Sequence, residues 1–381
     1  MKNNLVLSLI YLLLNFNSFA AWQDRNYSYG GENRFYRLYL PSNFSVNQSY
    51  SLVLGIHGLG DDATNFSNAL YEFKNIADTA NVILAFPQGL NNAIIGNGWN
   101  AGAGTLGIYP SPNVDDIGFI NSLAESLQAE FPIIKKQTYI FGFSNGGFMV
   151  ERIACESNGL YSAIASIAGT IGNLITQCNP NRKIPILHFH GTADANVGYY
   201  SNAFGINTDS LMALWAYNNA CDTPPTMTNV PDIKADGYTV EHYVYNNCQR
   251  ALELFKVNDA AHIILTEAFN DISYSREMWR FFRENIHEVL TEAANVEKIN
   301  HSLMIYPNPS NNVIFIQNKN WNPNEKLEVY VTNVSGQVIH QKEYNNLIPL
   351  KLNTTSFPEG TYFIKVKSDL TYTGRFTIIR N

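Results

Sequence analysis

The chain has 381 residues, 45% of them hydrophobic, and a formal net charge of −7. That length exceeds one ordinary domain and suggests two, and that apolar content excludes global disorder. The acidic balance excludes a nucleic-acid partner, because no basic stripe is available to displace counterions from phosphates.

The first residues, "MKNNLVLSLIYLLLNFNSFAA", place a lysine ahead of an apolar stretch from Leu5 to Leu14 and the small-residue site Ser18-Phe19-Ala20. They predict a cleavable secretory signal over residues 1–21. The apolar stretch is well short of the roughly 20 residues a spanning helix requires. No later segment is long and apolar enough, so no transmembrane segment is expected in the mature chain. Extended segments follow at "RFYRLYLP" and "SLVLGIHG", then a helix from about Asn65 to Thr79 and the strand "NVILAFP". A helix is predicted over Val114 to Phe131, with Asp115 and Asp116 near its start, where carboxylates favour the helix dipole. Gln137 to Phe143 reads as a strand and Gly147 to Cys155 as a packed helix. The apolar runs "SAIASIAG", "IPILHFHG" and "ALELFKV" precede a last helix in "ISYSREMWRFFREN". Strands that are continuously apolar and alternate with helices predict an α/β domain over residues 22–288, a mostly parallel sheet with helices on both faces. Residues 289–302 read as a polar linker. Residues 303–381 carry short alternating strands broken by Pro, Asn and Gly turns, which predicts a small all-β sandwich.

Export gives the four cysteines a meaning. An even number outside the reducing cytosol favours disulfides, and the tight spacing of a zinc site is absent. Pairing Cys155 with Cys178 and Cys221 with Cys248 is the sequence-local choice among three connectivities.

The stretch Gly142-Phe143-Ser144-Asn145-Gly146 lies at a predicted strand-to-helix corner. In the pattern G-x-S-x-G the glycines leave room for a turn sharp enough to strain the serine and expose its hydroxyl. Such a hydroxyl is a weak nucleophile until a base takes its proton and a third group orients that base. Of eight histidines, His57, His188 and His190 lie at or inside apolar strands, where structural or loop-shaping roles are expected. His287, His301 and His340 fall in the tail, the linker and the β-module, and His242 reads as a surface residue in a Tyr-rich run. His262 instead follows "ALELFKV" in a loop at the carboxyl end of a strand, where open α/β sheets bind ligands. Asp194, after "IPILHFHG", is the expected carboxylate, since its strand comes between those of Ser144 and His262. Asp259 is the rival, expected rather to shape the loop of His262. Oxyanion donors are expected from the backbone N–H of Asn145, at the start of the helix, and from Leu59 in "GIHGLGDD", with Gly58 allowing close approach.

Several motifs occur in order: "HGLGDD", "FPQG" followed by "GWN", "VDDIGFINSL", "GFSNGGFMVERIACE", "IAGT", "HFHGTAD", and Cys221 and Cys248 ahead of the final histidine. In these the chain resembles, from about "RFYRLYLP" to "MWRFF", the secreted esterase family that includes polyhydroxybutyrate depolymerases and the related feruloyl and acetylxylan esterases. The resemblance implies an α/β-hydrolase fold, the triad Ser144, Asp194 and His262, and no metal or organic cofactor. Two departures lie near the substrate mouth. "NDAAHIILTEA" replaces a glycine-rich run before the histidine and a Trp-Pro pair after it, and Gly198 stands where a proline is usual. The terminal module, with "YPNPSNN", "VTNVSGQVI" and "FPEGTYFIKV", resembles the type A sorting domain of the type IX secretion system, which implies that secretion machinery as a partner. A carbohydrate-binding sandwich would want several exposed tryptophans, and Trp321 is the module's only one.

The expected activity is hydrolysis of carboxylic esters, on a polymeric substrate bearing feruloyl, acetyl or 3-hydroxybutyrate esters. The alternative is a non-catalytic secreted binding protein on a hydrolase scaffold. Trp215, Tyr217, Tyr243 and Tyr245, between Asp194 and His262, are expected either to shape the mouth or to serve in packing.

Overall fold

A computed structural model describes residues 21–104, 110–111, 113–156, 159–175, 178, 180, 182–286, 303–308, 310–317, 326–333, 337–345, 349–368 and 371–380. The expected signal before Ala21, the linker 289–302, His287, His301 and Trp321 lie outside these residues. The chain divides into two compact units, Met1–Val289 and Leu290–Asn381.

The first unit runs β1 (Ala21–Tyr29), β2 (Glu32–Leu40), β3 (Tyr50–Ile56), α1 (Ala63–Ala69), α2 (Tyr71–Ala80), β4 (Val82–Pro87), β5 (Leu90–Asn92), β6 (Gly96–Gly98), α3 (Asp116–Glu130), β7 (Ile133–Phe143) and α4 (Asn145–Glu156). It continues through β8 (Ala163–Ile167), β9 (Ile186–Gly191), α5 (Thr208–Asn218), β10 (Asp222–Asn229), β11 (Thr239–Asn246), β12 (Leu252–Asn258) and α6 (Tyr274–Glu284). Ten strands form one sheet in the order β1-β2-β4-β3-β7-β8-β9-β12-β11-β10, parallel from β4 to β12 and antiparallel at both edges. This is the α/β-hydrolase architecture, a mostly parallel sheet covered on both faces.

The period-2 alternation of strands sorts the apolar residues into two cores. Leu52, Leu54 and Ile56 of β3 pack with Phe119 and Leu123 of α3, Met149 and Ile153 of α4, and Leu211 and Trp215 of α5. Val53 of the same strand packs on the opposite side with Phe66 of α1, Phe73 of α2 and Phe281 of α6. Buried on both faces, the central strands can be apolar at successive positions, as "LVLGI" is.

Several expectations change in detail. The helix expected over Asn65 to Thr79 is two helices separated at Leu70, and Asp62 caps the first by accepting the Asn65 N–H at 2.7 Å. Asp115 is the N-cap of α3, but Asp116 is buried against Arg34 at 2.8 Å, an ion pair rather than a dipole partner. The antiparallel strands β1 and β10 were not expected; β10 carries Pro224 and Pro225, which an edge strand tolerates because one side needs no ladder bonds. Disulfides join Cys155 to Cys178 and Cys221 to Cys248. No helix among the described residues is long and apolar enough to cross a membrane.

The second unit contains β13 (Met304–Tyr306), β14 (Val313–Gln317), β15 (Lys326–Asn333), β16 (Val338–Asn345), β17 (Leu350–Asn353), β18 (Gly360–Lys367) and β19 (Thr371–Ile378). They form antiparallel sheets ordered β13-β14-β17 and β16-β15-β18-β19. Ile314, Ile316, Leu350 and Leu352 of one sheet share a core with Val329, Val331, Ile364 and Val366 of the other, as a sandwich requires.

Candidate active site

The corner expected at Ser144 is one residue wide. β7 ends at Phe143, α4 begins at Asn145, and Ser144 between them has φ +56°, in the left-handed region. Holding a serine there costs about 1–3 kcal/mol. The glycines on either side are sterically required, since a Cβ on Gly142 would lie 2.1 Å from the Gly146 carbonyl oxygen, and one on Gly146 2.1 Å from that of Ile56. The Ser144 N–H donates to the Ile167 carbonyl at 2.9 Å and its carbonyl accepts from the Phe148 N–H at 2.9 Å, which ties the turn to β8 and α4.

Asp194 and His262 come from the loops after β9 and β12, neighbouring strands in the sheet. His262 Nδ1 lies 2.6 Å from Asp194 Oδ2. The other carboxylate oxygen accepts the N–H groups of Asn196 and Val197, both at 2.8 Å. Burial pushes the Asp194 carboxyl up, but the hydrogen bond with His262, the Val197 N–H and the nearby histidines outweigh it and hold the group below its ordinary value. An ionised Asp194 accepts the Nδ1 proton of His262 and leaves Nε2 with a free lone pair. Asp259 is placed otherwise: its N–H donates to Thr192 Oγ1 at 2.9 Å, and it bends the loop with φ +63°.

Ser144 and His262 line one cavity of about 740 Å³, together with Leu59 and Asn145. Their side chains are not hydrogen-bonded to each other in this arrangement, and the His262 ring lies 4.6 Å from that of Phe143. Ile95, Phe143, Phe148 and Phe204 make much of the remaining wall apolar.

The loop carrying Leu59 is held by His57. The Gly89 N–H donates to His57 Nε2 at 3.0 Å, so the ring proton is on Nδ1, which donates to the Gly58 carbonyl at 2.7 Å. Burial lowers the pKa of His57 and keeps it neutral. A trans peptide directs its C=O and N–H oppositely, so fixing the Gly58 carbonyl also fixes the Leu59 N–H. Asn145 is fixed through its side chain, whose Oδ1 accepts the Trp99 N–H at 2.8 Å, while Trp99 Nε1 donates to the His57 carbonyl at 3.0 Å. Among the described residues, neither the Leu59 nor the Asn145 backbone N–H has a hydrogen-bond acceptor.

A second polar system lies in the interior. His190 Nε2 donates to the Val197 carbonyl at 2.7 Å, so its Nδ1 is an acceptor, within reach of His188 Nε2 at 3.1 Å and Thr208 Oγ1 at 2.9 Å. His188 Nδ1 then faces Glu151 Oε1 at 4.0 Å, and neither atom has a hydrogen-bond partner. Complete burial pushes the Glu151 carboxyl up to about 8, against the hydrogen bond from the Trp215 indole. Glu151 was missed in the sequence, although its spacing from Phe148 and Cys155 puts it on the apolar face of α4.

The aromatics expected at the mouth are elsewhere. Trp215 is buried and donates to Glu151 Oε2 at 2.8 Å, Tyr217 is 91% exposed, and Tyr243 and Tyr245 line a separate groove. His242 is not a surface residue: it is half-buried, stacked on Phe255 across the β11–β12 ladder at 4.1 Å and bonded to Glu253 at 2.8 Å.

Comparison with known proteins bears on fold and chemistry. Residues 45–213 match the Phospholipase/Carboxylesterase family, a span that holds Ser144 and Asp194 and stops short of His262. Residues 304–380 match the Secretion system C-terminal sorting domain. The chain is 25% identical over 237 residues to Feruloyl esterase B of Piromyces equi, covering 58% of this chain and 41% of that protein. It is 25% identical over 169 residues to Bifunctional acetylxylan esterase/xylanase XynS20E of Neocallimastix patriciarum, covering 44% and 22%. The chain thus spans less than half the length of these relatives. In fold it is similar to an acetyl xylan esterase from Aspergillus awamori, with a TM-score of 0.51 and 12% identity over 69% of this chain and 99% of that one. Residues 45–213 are therefore similar to a carboxylesterase family, and the sorting domain over residues 304–380 marks the chain for secretion or the cell surface.

Proposed function

We propose that the chain is a secreted serine esterase in which Ser144, His262 and Asp194 form the catalytic triad and the Leu59 and Asn145 amides the oxyanion hole. The observation that carries this reading is the 2.6 Å His262–Asp194 contact at a cavity that also holds a serine at a left-handed corner. His262 Nε2 takes the Ser144 proton as Oγ attacks the ester carbonyl, and ionised Asp194 stabilises the imidazolium. The two free N–H groups receive the oxyanion; His262 then protonates the departing alcohol, and water, deprotonated by the same imidazole, releases the acid. The apolar wall favours an aromatic or aliphatic acyl group, and the feruloyl and acetylxylan esterases among the relatives support feruloyl or acetyl esters of plant polysaccharide as substrates. Export is assigned to the type IX machinery through residues 304–380.

The test is turnover of p-nitrophenyl acetate, methyl ferulate and a 3-hydroxybutyrate oligomer by the wild type and Ser144→Ala. The substitution is expected to lower kcat by about 10⁴-fold or more with the fold intact. Unchanged turnover would overturn the assignment and favour a binding protein on the same scaffold.

A further inference from the structure

A groove of about 320 Å³ beside the catalytic cavity is lined by Tyr199, Tyr200, Tyr243 and Tyr245, with Asp209 and Lys256 at its polar positions. The chain itself connects the two. Val197 lines the Ser144 cavity and Tyr199 the groove, so they are separated by at most about 7 Å of backbone. Gly198 makes the connection possible: a Cβ there would lie 2.1 Å from the Ser201 carbonyl oxygen, so neither proline nor any other side chain fits. From the far side, Tyr243 and Tyr245 are two apart on β11 and share a face of the sheet.

The groove contains unused hydrogen-bonding capacity. Tyr199 is only 3% exposed, yet its hydroxyl bonds to none of the described residues; it is not among the solvent-excluded polar atoms either, so it opens to the groove. The Tyr245 hydroxyl and the exposed Asp209 carboxylate also have no partner among the described residues. Tyr200 is 60% exposed and crosses Tyr199 edge-on at 4.8 Å, presenting an aromatic surface to solvent. Lys256, by contrast, is engaged with Glu241 at 3.1 Å. A buried hydroxyl left without a partner is costly, and the ligand that suits this place has apolar C–H faces and many hydroxyls. An acyl chain would leave Asp209 and the tyrosine hydroxyls unpaired. A polyanion would meet the Asp209 carboxylate, and the one lysine of the lining is already paired with Glu241.

We propose that this groove is a carbohydrate subsite, which holds a neutral sugar chain on the alcohol side of the ester being cleaved. Tyrosine rings take the sugar's C–H faces, and Asp209 and the Tyr199 and Tyr245 hydroxyls bind its hydroxyl groups. The inference rests on the esterase reading and narrows its substrate to an ester carried on a polysaccharide.

The full chain and its Tyr200→Ala and Asp209→Asn variants, both at exposed positions, are compared on acetylated xylo-oligosaccharide and on p-nitrophenyl acetate. The acyl group is common to both, so effects on the acyl cavity cancel. Each substitution is expected to raise KM for the oligosaccharide about 5- to 20-fold, the range of one lost stacking or hydrogen-bond contact. kcat/KM for p-nitrophenyl acetate is expected to stay within about twofold, since no residue lining the groove also lines the Ser144 cavity. Equal losses on both substrates, or none on the oligosaccharide, overturn the subsite and leave the esterase reading standing. If neither substrate is turned over, the esterase reading falls, and calorimetric titration with xylohexaose decides the groove alone. Binding weakened by Tyr200→Ala supports the subsite, and no binding to the wild type overturns it.

Discussion

His262 meets Asp194 at 2.6 Å at the wall of an open cavity, whereas His188 faces Glu151 at 4.0 Å in the closed interior under α4. Each pairs a histidine with a carboxyl group. At the cavity, two backbone N–H groups and a histidine proton supply what an ionised carboxylate needs, and Asp194 is held below its ordinary pKa. In the interior Glu151 has one indole N–H at 2.8 Å, and burial pushes it up to about 8. Hydrogen-bond donors and access to solvent, not the pairing of a histidine with an acid, separate a carboxyl kept ionised from one kept neutral.

The comparison breaks most visibly at Asp194. Asp194→Asn keeps the shape but removes the charge that selects the His262 tautomer, and kcat on p-nitrophenyl acetate should fall about 10³- to 10⁴-fold. The thermal midpoint should move little; a loss in kcat under tenfold would contradict the role. Glu151→Gln is the smaller, sharpening test. The Glu151 pKa is raised in the folded state, so its contribution to stability is full below about 4.5 and is lost as pH rises through about 8. Glutamine mimics the protonated acid at every pH. The midpoint of the variant relative to the wild type should therefore rise from pH 5 to pH 8, by on the order of 5 °C, as a differential-scanning series would show. Parallel midpoints would show Glu151 to be no different from a solvated carboxylate, and activity should stay within about tenfold.

How much of this was legible depended on whether steric or chemical constraint reached the letters themselves. The Ser144 corner was readable because Gly142 and Gly146 are forced by contacts of 2.1 Å. The juxtaposition of residues 194 and 262 was readable because parallel strands deliver their following loops to one end of the sheet. The break at Leu70 was not, since the apolar spacing runs on through both helices. His242 misled for a related reason. Its burial comes from stacking on Phe255 and bonding to Glu253, cross-strand partners visible only once β11 and β12 are in register. Of the tyrosines expected at the mouth, Tyr217 is exposed on α5, and Tyr243 and Tyr245 line the neighbouring groove because β11 lies beyond β12 toward the edge of the sheet.

The proposed chemistry requires the base built at His262 to act on the hydroxyl of Ser144. Labelling with a fluorophosphonate, mapped by peptide mass spectrometry, reads this directly. The account predicts one adduct, on Ser144, with a labelling rate that drops by about 10³-fold in His262→Ala. No adduct on Ser144 in the wild type, or the same rate in both proteins, would contradict it.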